Sequence, residues 1–361
     1  MIKVRVASRV PVAEDIIGLD LVHADGEALP PFSAGAHVDL FLGNGMTRQY
    51  SLCNDPADQS RYRIAVLREP SSRGGSAFVH DALLKGAVLT ISPPRNLFAL
   101  DEDGHEHRLF AGGVGVTPIL AMAYRLHALG ARFILHYCAR SRSRAAFLEE
   151  LAAAPFAASV RLSFDDEPDT RLDLDAVLAA PSPDRRIYVC GPGGFMAFVT
   201  EGAAARGWTS GQIRREHFAA EVAPTDQNRP FDLVIASSGQ VVGVAADQTA
   251  AQALEAAGVF VPLSCEQGVC GTCLTPVIEG EVEHRDAFQT DAEKAAGLAF
   301  TPCCSRAPGP AAGDRPLNPR PGYGPLPRRR RRRRGVVAKL QPKRPAVLEA
   351  RPIARAGRVR W

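Results

Sequence analysis

The sequence predicts a multidomain β, α/β and α+β chain: an antiparallel β-barrel, then a parallel α/β sheet, then a small α+β domain, then a basic tail with no core. Three observations carry this. Residues 1–100 alternate apolar and polar side chains between closely spaced turn signals, residues 101–223 alternate strand-like with helix-like segments, and residues 224–307 gather cysteines at fixed spacing. Past residue 307 no apolar periodicity remains.

Length and composition agree with several domains. With 361 residues and 46% hydrophobic side chains there is material for two or three cores. No apolar run is long enough to span a bilayer, so a soluble, cytoplasmic chain without a membrane partner is expected. The formal charge of +4 conceals a division. Residues 308–361 hold 16 Lys/Arg against 2 Asp/Glu, whereas residues 1–307 hold 27 against 37. The folded part is therefore acidic and the tail strongly basic.

The first domain opens with Ile2, Val4 and Val6 spaced by two, and turns follow at Asp25-Gly26, Pro30-Pro31 and Gly43-Asn44-Gly45. Short strands between such turns suit an antiparallel barrel. Arg48-Gln49-Tyr50-Ser51-Leu52-Cys53-Asn54 sits where a strand meets a turn. Its guanidinium could hold a phosphate, its aromatic ring could lie on an isoalloxazine, and its hydroxyl and backbone N–H groups could face the reactive ring edge. Alone, the motif is short enough to be a chance strand end. Arg73-Gly74-Gly75-Ser76 precedes the helical-looking stretch Ala77–Leu84, and a Gly-rich entry to a helix can cradle a phosphate.

In the second domain, strands are expected over Arg108–Ala111, Phe133–Cys138, Val160–Phe164 and Ile187–Cys190, with helices over Ala121–Leu129, Ala145–Ala153 and Phe195–Ala205. Gly112-Gly113-Val114-Gly115-Val116-Thr117-Pro118 follows the first strand and opens a helix, the position at which an open α/β sheet takes a dinucleotide pyrophosphate. Cys190-Gly191-Pro192-Gly193-Gly194 ends the last strand at the same carboxyl edge. Asp165 ends another, where a carboxylate can accept from ribose hydroxyls and repel a 2'-phosphate, which favours NADH. Arg140, Arg142 and Arg144 lie nearby and could instead welcome that phosphate. His136 and His217 stand alone and read as core or surface residues.

A polar stretch, Pro224 to Pro230, reads as a linker, followed by strands Phe231–Ile235 and Val241–Ala245 and a helix near Ala250–Ala257. Then comes Cys265-Glu-Gln-Gly-Val-Cys270-Gly-Thr-Cys273, with Cys303 thirty residues beyond Cys273. The spacing C-x4-C-x2-C plus a distant cysteine is that of a plant-type 2Fe-2S cluster. A zinc site prefers paired C-x2-4-C hooks, of which there is one here, and a disulfide fits poorly without a secretory signal. On spacing alone, either Cys303 or Cys304 could be the fourth ligand.

The tail, residues 308–361, carries ten of the 28 prolines and seven successive arginines, Arg328 to Arg334, and is predicted to be disordered. It could be an arm for nucleic acid. The favoured reading is instead a frameshift product, since Arg/Pro/Gly/Ala-rich sequence is what a GC-rich gene yields when translated out of frame.

Together Arg48-x-Tyr50-Ser51-Leu52-Cys53-Asn54, Gly74-Gly75-Ser76, Gly112 to Pro118, Cys190-Gly191-Pro192, Phe218 and the cysteine set resemble, over residues 1–307, the flavin iron–sulfur reductases of the phthalate dioxygenase reductase type. The resemblance implies FMN in the barrel, NADH in the α/β domain and a C-terminal plant-type ferredoxin (β-grasp) domain. It implies that Arg48, Tyr50, Ser51, Leu52, Arg73, Gly74, Gly75 and Ser76 hold FMN and that Phe218 lies near the flavin. Gly112, Gly113, Gly115, Thr117, Asp165, Cys190, Gly191 and Pro192 would form the NADH site, and Cys265, Cys270, Cys273 and Cys303 would hold the cluster. The activity implied is electron transfer from NADH through FMN and the 2Fe-2S cluster to a Rieske-type oxygenase, with no acid, base or nucleophile of the protein required. A cytochrome P450 acceptor is the alternative within this class. A nucleic-acid-binding protein acting through the tail leaves all three constellations unexplained. One departure stands out. After Ser305-Arg306-Ala307 the family continues with a short apolar strand that completes the ferredoxin sheet, and here the basic tail stands in its place, so an unpaired sheet edge is expected.

Overall fold

The computed structural model describes residues 1–70, 74–103, 106–178, 181–218, 228–308 and the backbone of 338–342. They fall into two compact units, Met1–Phe218 and Ala219–Trp361. Among the described residues no helix is long and apolar enough to cross a membrane.

The first unit begins with β1 (Ile2–Ala13), β2 (Ile16–His23), β3 (Ala36–Phe41), β4 (Thr47–Ser51) and β5 (Tyr62–Leu67), then α1 (Gly75–Ala82), β6 (Val88–Ile91) and β7 (Arg95–Asn96). The strands run in the order β4-β3-β6-β1-β2-β5, with β7 on β3, and all these pairings are antiparallel. The outermost strands close on each other. Cys53 N, just past β4, donates to Arg63 O of β5 at 2.9 Å, and Arg63 N donates back to Asn54 Oδ1 at 2.9 Å. Alternation decides what points inward: Val4 and Val6 are buried while Lys3 and Arg5 between and beside them are exposed. Leu19, Leu21, Val38, Leu40, Leu52, Tyr62, Ile64 and Ile91 complete that core.

The same unit continues with β8 (Glu106–Gly112), α2 (Val116–Ala128), β9 (Arg132–Ala139), α3 (Leu148–Ala153), β10 (Val160–Phe164), α4 (Leu174–Val177), β11 (Arg185–Cys190), α5 (Gly193–Ala205) and β12 (Ile213–Glu216). The sheet is wholly parallel, in the order β10-β9-β8-β11-β12. Its central strands are buried on both faces, which is why Leu109-Phe110-Ala111 and Ile187-Tyr188-Val189-Cys190 read as unbroken apolar runs. The strand order reverses between β8 and β11, the switch point at which open α/β sheets leave a crevice. The edge strand β12 was not expected, because Ile213-Arg214-Arg215-Glu216 has one apolar residue and no period to read.

The second unit holds β13 (Phe231–Ile235), β14 (Val241–Val244), α6 (Ala250–Ala256), β15 (Thr275–Glu279), α7 (Asp291–Ala296), β16 (Ala299–Phe300) and β17 (Ala338–Pro342). Both helices start with capping boxes, Thr249 with Gln252 and Thr290 with Glu293, in which side chain and backbone satisfy each other's donors. The core packs Phe231, Leu233, Val244, Leu254, Val277 and Phe300 together with Cys273 and Cys303.

Here the tail differs from expectation. The sheet order is β14-β13-β17-β15-β16, so a five-residue piece of the tail lies between β13 and β15. It is antiparallel to β13, Phe231↔Pro342 through Ile235↔Ala338, and parallel to β15 through Val277↔Ala338 and Glu279↔Lys339. The edge predicted to be unpaired is thus occupied. Ladder bonds are made by main-chain groups, so a strand without a strong side-chain signature can still supply them. The rest of the tail, and the linker residues 224–227, lie outside the described residues.

Candidate functional site

The barrel and the parallel sheet meet at the end of β4. Ser51, its last residue, is buried, and its Oγ donates to Oε2 of Glu216 at 3.0 Å, across 165 residues of chain. Glu216 ends β12 and pairs in register with Cys190 at the end of β11. A barrel hydroxyl, a sheet-edge carboxyl and a strand-end thiol thereby come together at the switch point. Glu216 is partly accessible to solvent, yet the protein around it raises its carboxyl from the usual 4.5 to about 8, opposed by the hydrogen bond from Ser51. Burial, reinforced by that carboxyl, drives the Cys190 thiol well above its ordinary value, so Cys190 is a neutral thiol.

The sequence reading missed Glu216. The only available signal was its position, two residues before Phe218, which is exposed just beyond β12. A consequence is testable. The folded chain keeps on Glu216 a proton that the unfolded chain releases near pH 4.5, so the carboxyl's support for the fold is full below about 4.5 and is lost as pH rises through 8. Glu216→Gln keeps an acceptor for Ser51 and removes the titration. The variant's thermal midpoint should match wild type near pH 4.5 and exceed it at pH 8 to 9 by several degrees, at roughly 2–4 °C per kcal/mol for a unit of this size. Parallel melting curves across that range check it.

Arg48 and Tyr50 precede Ser51 on β4, and Leu52 follows it, fully buried, its N–H donating to Ala36 O at 2.8 Å. Burial pushes the Tyr50 hydroxyl up, with Arg48 opposing, so the ring is neutral. A Cβ on Gly75 would collide with Arg48 Nε, which shows that the guanidinium stem lies against the first residue of α1. Arg48 and the N-terminus of α1 could therefore hold one phosphate between them. Ser76 at that N-terminus is committed elsewhere: its Oγ accepts from Glu69 N at 3.1 Å. Arg73 lies outside the described residues.

On the sheet side, Gly112 ends β8 and Gly113–Gly115 form a tight turn into α2. Thr117 is buried and its Oγ1 donates to Val114 O at 3.0 Å, closing that turn. The two Gly-rich loops touch: a Cβ on Gly115 would overlap Cys190 O and stand 2.7 Å from Gly191 N. Only glycine allows this approach. Gly115→Ala should therefore part the loops, raise KM for NADH about tenfold or more and cost roughly 1–3 kcal/mol of stability, read by steady-state kinetics and by denaturant melts. Pro192 caps the start of α5, so a second helix N-terminus opens at the same crevice. Asp165 follows β10, its N–H donating to Ala139 O at 3.1 Å. Of the arginines nearby, Arg142 pairs with Glu167 at 2.6 Å and stacks over Phe164, while Arg144 pairs with Glu14 at 2.5 Å. His136 is core, buried and stacked on Phe110, and burial lowers it to about 4.

In the second unit, Cys265, Cys270, Cys273 and Cys303 are all buried in one region. They sort into two pairs rather than converging on one point. Cys265 hydrogen-bonds to Cys270 and lowers its pKa, while Cys273 Sγ lies 3.3 Å from Cys303 Sγ. Two thiols for each of two irons is the arrangement a 2Fe-2S cluster asks for. Gln267 N and Thr272 N each point at a sulfur, Cys265 and Cys270, at 3.4 Å. Such N–H groups stabilise thiolate and set cluster potential. Gly268 has φ 74 and a Cβ there would strike Cys304 Sγ, so the loop's path needs glycine. Cys304 is less buried, and its sulfur lies 3.2 Å from Thr301 Oγ1.

The comparisons with known proteins follow the same division. Residues 233–308 match the 2Fe-2S iron–sulfur cluster binding domain. Among curated proteins, the chain is 53% identical over 308 residues to a vanillate O-demethylase oxidoreductase of Pseudomonas sp. strain HR199, covering 85% of this chain and 97% of that one. Among solved structures, it is similar to phthalate dioxygenase reductase, described as a modular structure for electron transfer from pyridine nucleotides to [2Fe-2S], with TM-score 0.68 and 37% identity over 84% of this chain and 94% of that one. It is also similar to an intact type IV self-sufficient cytochrome P450 monooxygenase, with TM-score 0.75 and 40% identity, over 85% of this chain but only 40% of that longer one. Likeness at this level, running nearly the full length of smaller relatives through both the flavin-type junction and the cysteine loop, means that the chain belongs to the phthalate dioxygenase reductase-type family of flavin iron–sulfur oxidoreductases.

Proposed function

We propose that the chain is the NADH-dependent reductase component of a two-component oxygenase system, with a Rieske-type oxygenase as acceptor. The observation that carries this is that one chain holds both a pair of touching Gly-rich loops at a sheet edge joined to the barrel through Ser51 and Glu216, and four buried thiols in two close pairs. Bound FMN would supply two-electron hydride chemistry with NADH and a bound 2Fe-2S cluster one-electron chemistry, which is what an acceptor taking one electron at a time requires. The protein's own part is positioning. Arg48 and the N-terminus of α1 would fix the FMN phosphate, and Tyr50 and Phe218 would flank the ring. Ser51 and Glu216 would fix the hydrogen-bonding pattern beside the reacting edge. Gly112–Gly115 and Cys190–Pro192 would hold the NADH pyrophosphate at two helix N-termini. Cys265, Cys270, Cys273 and Cys303 would hold the cluster, with Gln267 N and Thr272 N stabilising thiolate. The placement of Asp165, with Arg142 and Arg144 already engaged by carboxylates, favours NADH over its 2'-phosphorylated form.

A cytochrome P450 acceptor is the second reading, favoured by the likeness to the self-sufficient P450 chain. The first reading is tested by the visible spectrum of the purified chain during anaerobic addition of NADH. A flavin band and broad cluster absorption that both bleach are expected, and a preparation without flavin absorption would sink the proposal.

A further inference from the structure

The outer face of a barrel strand ordinarily meets water, and that of β5 does not. Tyr62, Ile64 and Val66 belong to the barrel core, which turns Arg63 and Ala65 outward. Ala65 is nevertheless buried, in one apolar cluster with Ile119, Leu120 and Ala123 of α2 and Leu151 of α3. Apolar packing of this kind sets how closely the barrel and the parallel sheet approach, but it is non-directional and leaves their register free. Directional bonds have to fix it.

Arg63 supplies them from main chain and side chain alike. Its O accepts from Cys53 N at 2.9 Å and from Cys53 Sγ at 3.3 Å, and its N–H donates to Asn54 Oδ1 at 2.9 Å, so it holds the two residues that follow Leu52 at the flavin-side strand end. Its guanidinium is aimed by Asp20, the residue opposite it on β2, which accepts from Arg63 Nε at 3.0 Å and from Arg61 at 3.3 Å. Arg63 Nη1 then donates to Oε2 of Glu150 in α3 at 2.8 Å, and the second carboxylate oxygen, Oε1, accepts from Tyr124 Oη of α2 at 2.8 Å. The tyrosine ring is held edge-on to Phe156, with centroids 5.1 Å apart. Helix α2 is the one that opens at the Gly113–Gly115 turn, and Tyr124 lies about 12 Å along it from Val116. The side chains of Arg63 and Glu150 are 20% and 27% exposed, so this pair is less screened than Arg144–Glu14, at 40% and 48%.

We propose that Glu150 is a positioning residue for hydride transfer: with one oxygen on Arg63 and the other on Tyr124, it locks the flavin-side strand end of the barrel against the helix that opens at the nucleotide loop. This rests on the reductase reading above and adds the residue that sets the geometry between its two binding halves. Reacting atoms have to lie about 3–3.5 Å apart, and a misplacement of about 1 Å can cost a hundredfold in rate. Glu150 acts through Arg63 and Tyr124 and not on the reacting atoms.

The test is stopped-flow bleaching of the flavin by NADH in the anaerobic full-length holoprotein. Glu150→Gln sets an amide NH2 against a donor and should lower the limiting rate about tenfold, with half-saturating NADH within about twofold of wild type because the Gly-rich loops are untouched. The isotope effect on that rate, with NADH deuterated at nicotinamide C4, should be at least as large as in wild type, a readout that a purely structural role would not move. Tyr124→Phe keeps the ring on Phe156, loses one of the two bonds and should slow bleaching about threefold, which keeps the proposal testable if Glu150→Gln does not fold. Arg63→Gln combined with Glu150→Gln should bleach within about twofold of the slower single variant, since both break one link. A limiting rate within twofold of wild type in both Glu150→Gln and Tyr124→Phe overturns the proposal, whatever their melting temperatures. So does a raised half-saturating NADH concentration at an unchanged limiting rate, which would make Glu150 a determinant of nucleotide affinity. Wild-type flavin that NADH does not bleach would instead remove the reductase reading, a failure distinguishable from these.

Discussion

Cys303→Ser should strip the cluster while Cys304→Ser should leave it in place. Adjacent cysteines leave sequence spacing unable to choose between them, and the approach of Cys303 to Cys273 favours Cys303. Cys303 Sγ is 3.3 Å from Cys273 Sγ in the buried core, while Cys304 Sγ lies beside Thr301 Oγ1 and against the space that a Gly268 side chain would need. A serine at 303 leaves three thiolates, short of the four-ligand set. Iron and sulfide content should fall below about a tenth of wild type, and NADH-driven cytochrome c reduction to about a hundredth, with NADH–ferricyanide reduction retained. Cys304→Ser should keep iron, sulfide and both activities within about twofold. The reverse pattern would transfer the ligand role to Cys304.

The second large effect concerns the tail. A chain ending at residue 337 should lose most of its cluster and melt its second unit at much lower temperature, whereas a chain ending at residue 342 should behave as wild type. Ala338–Pro342 pairs with β13 on one side and β15 on the other, so its removal splits the sheet and leaves two unpaired edges. Each ladder hydrogen bond contributes about 1 kcal/mol, and several of them approach the 5–15 kcal/mol that holds a small domain folded. The first unit should be unaffected, with flavin content and NADH–ferricyanide reduction unchanged. Equal iron content in the two truncated chains would show that the strand contributes nothing, and the arginine-rich text would then be spare as well as odd.

Legibility from sequence followed the strength of local signals. The strands of the parallel sheet were plain because burial on both faces makes them continuous apolar runs, as in Leu109-Phe110-Ala111. The Gly-rich loops were plain because their backbones leave no room for a side chain, as Gly115 against Cys190 shows. The hairpin of β13 and β14 and helix α6 fell close to the predicted ranges, with Thr249 and Gln252 marking the helix start. By contrast β12 and β17 are short, and their place is set by neighbouring strands rather than by their own pattern. Glu216 was invisible for the same reason: its significance is a hydrogen bond to Ser51, 165 residues away.

The sequence by itself determined the order of the domains, the cysteine spacing that suits a 2Fe-2S cluster, the flavin-type Arg-x-Tyr-Ser motif and the family to which the chain is related. These are local matters of backbone freedom, side-chain chemistry and period. Only the tertiary structure brought Glu216 and Cys190 to Ser51, paired Cys273 with Cys303, and placed a tail segment between β13 and β15. Each of these joins residues distant along the chain, and such relations exist only once the chain has packed.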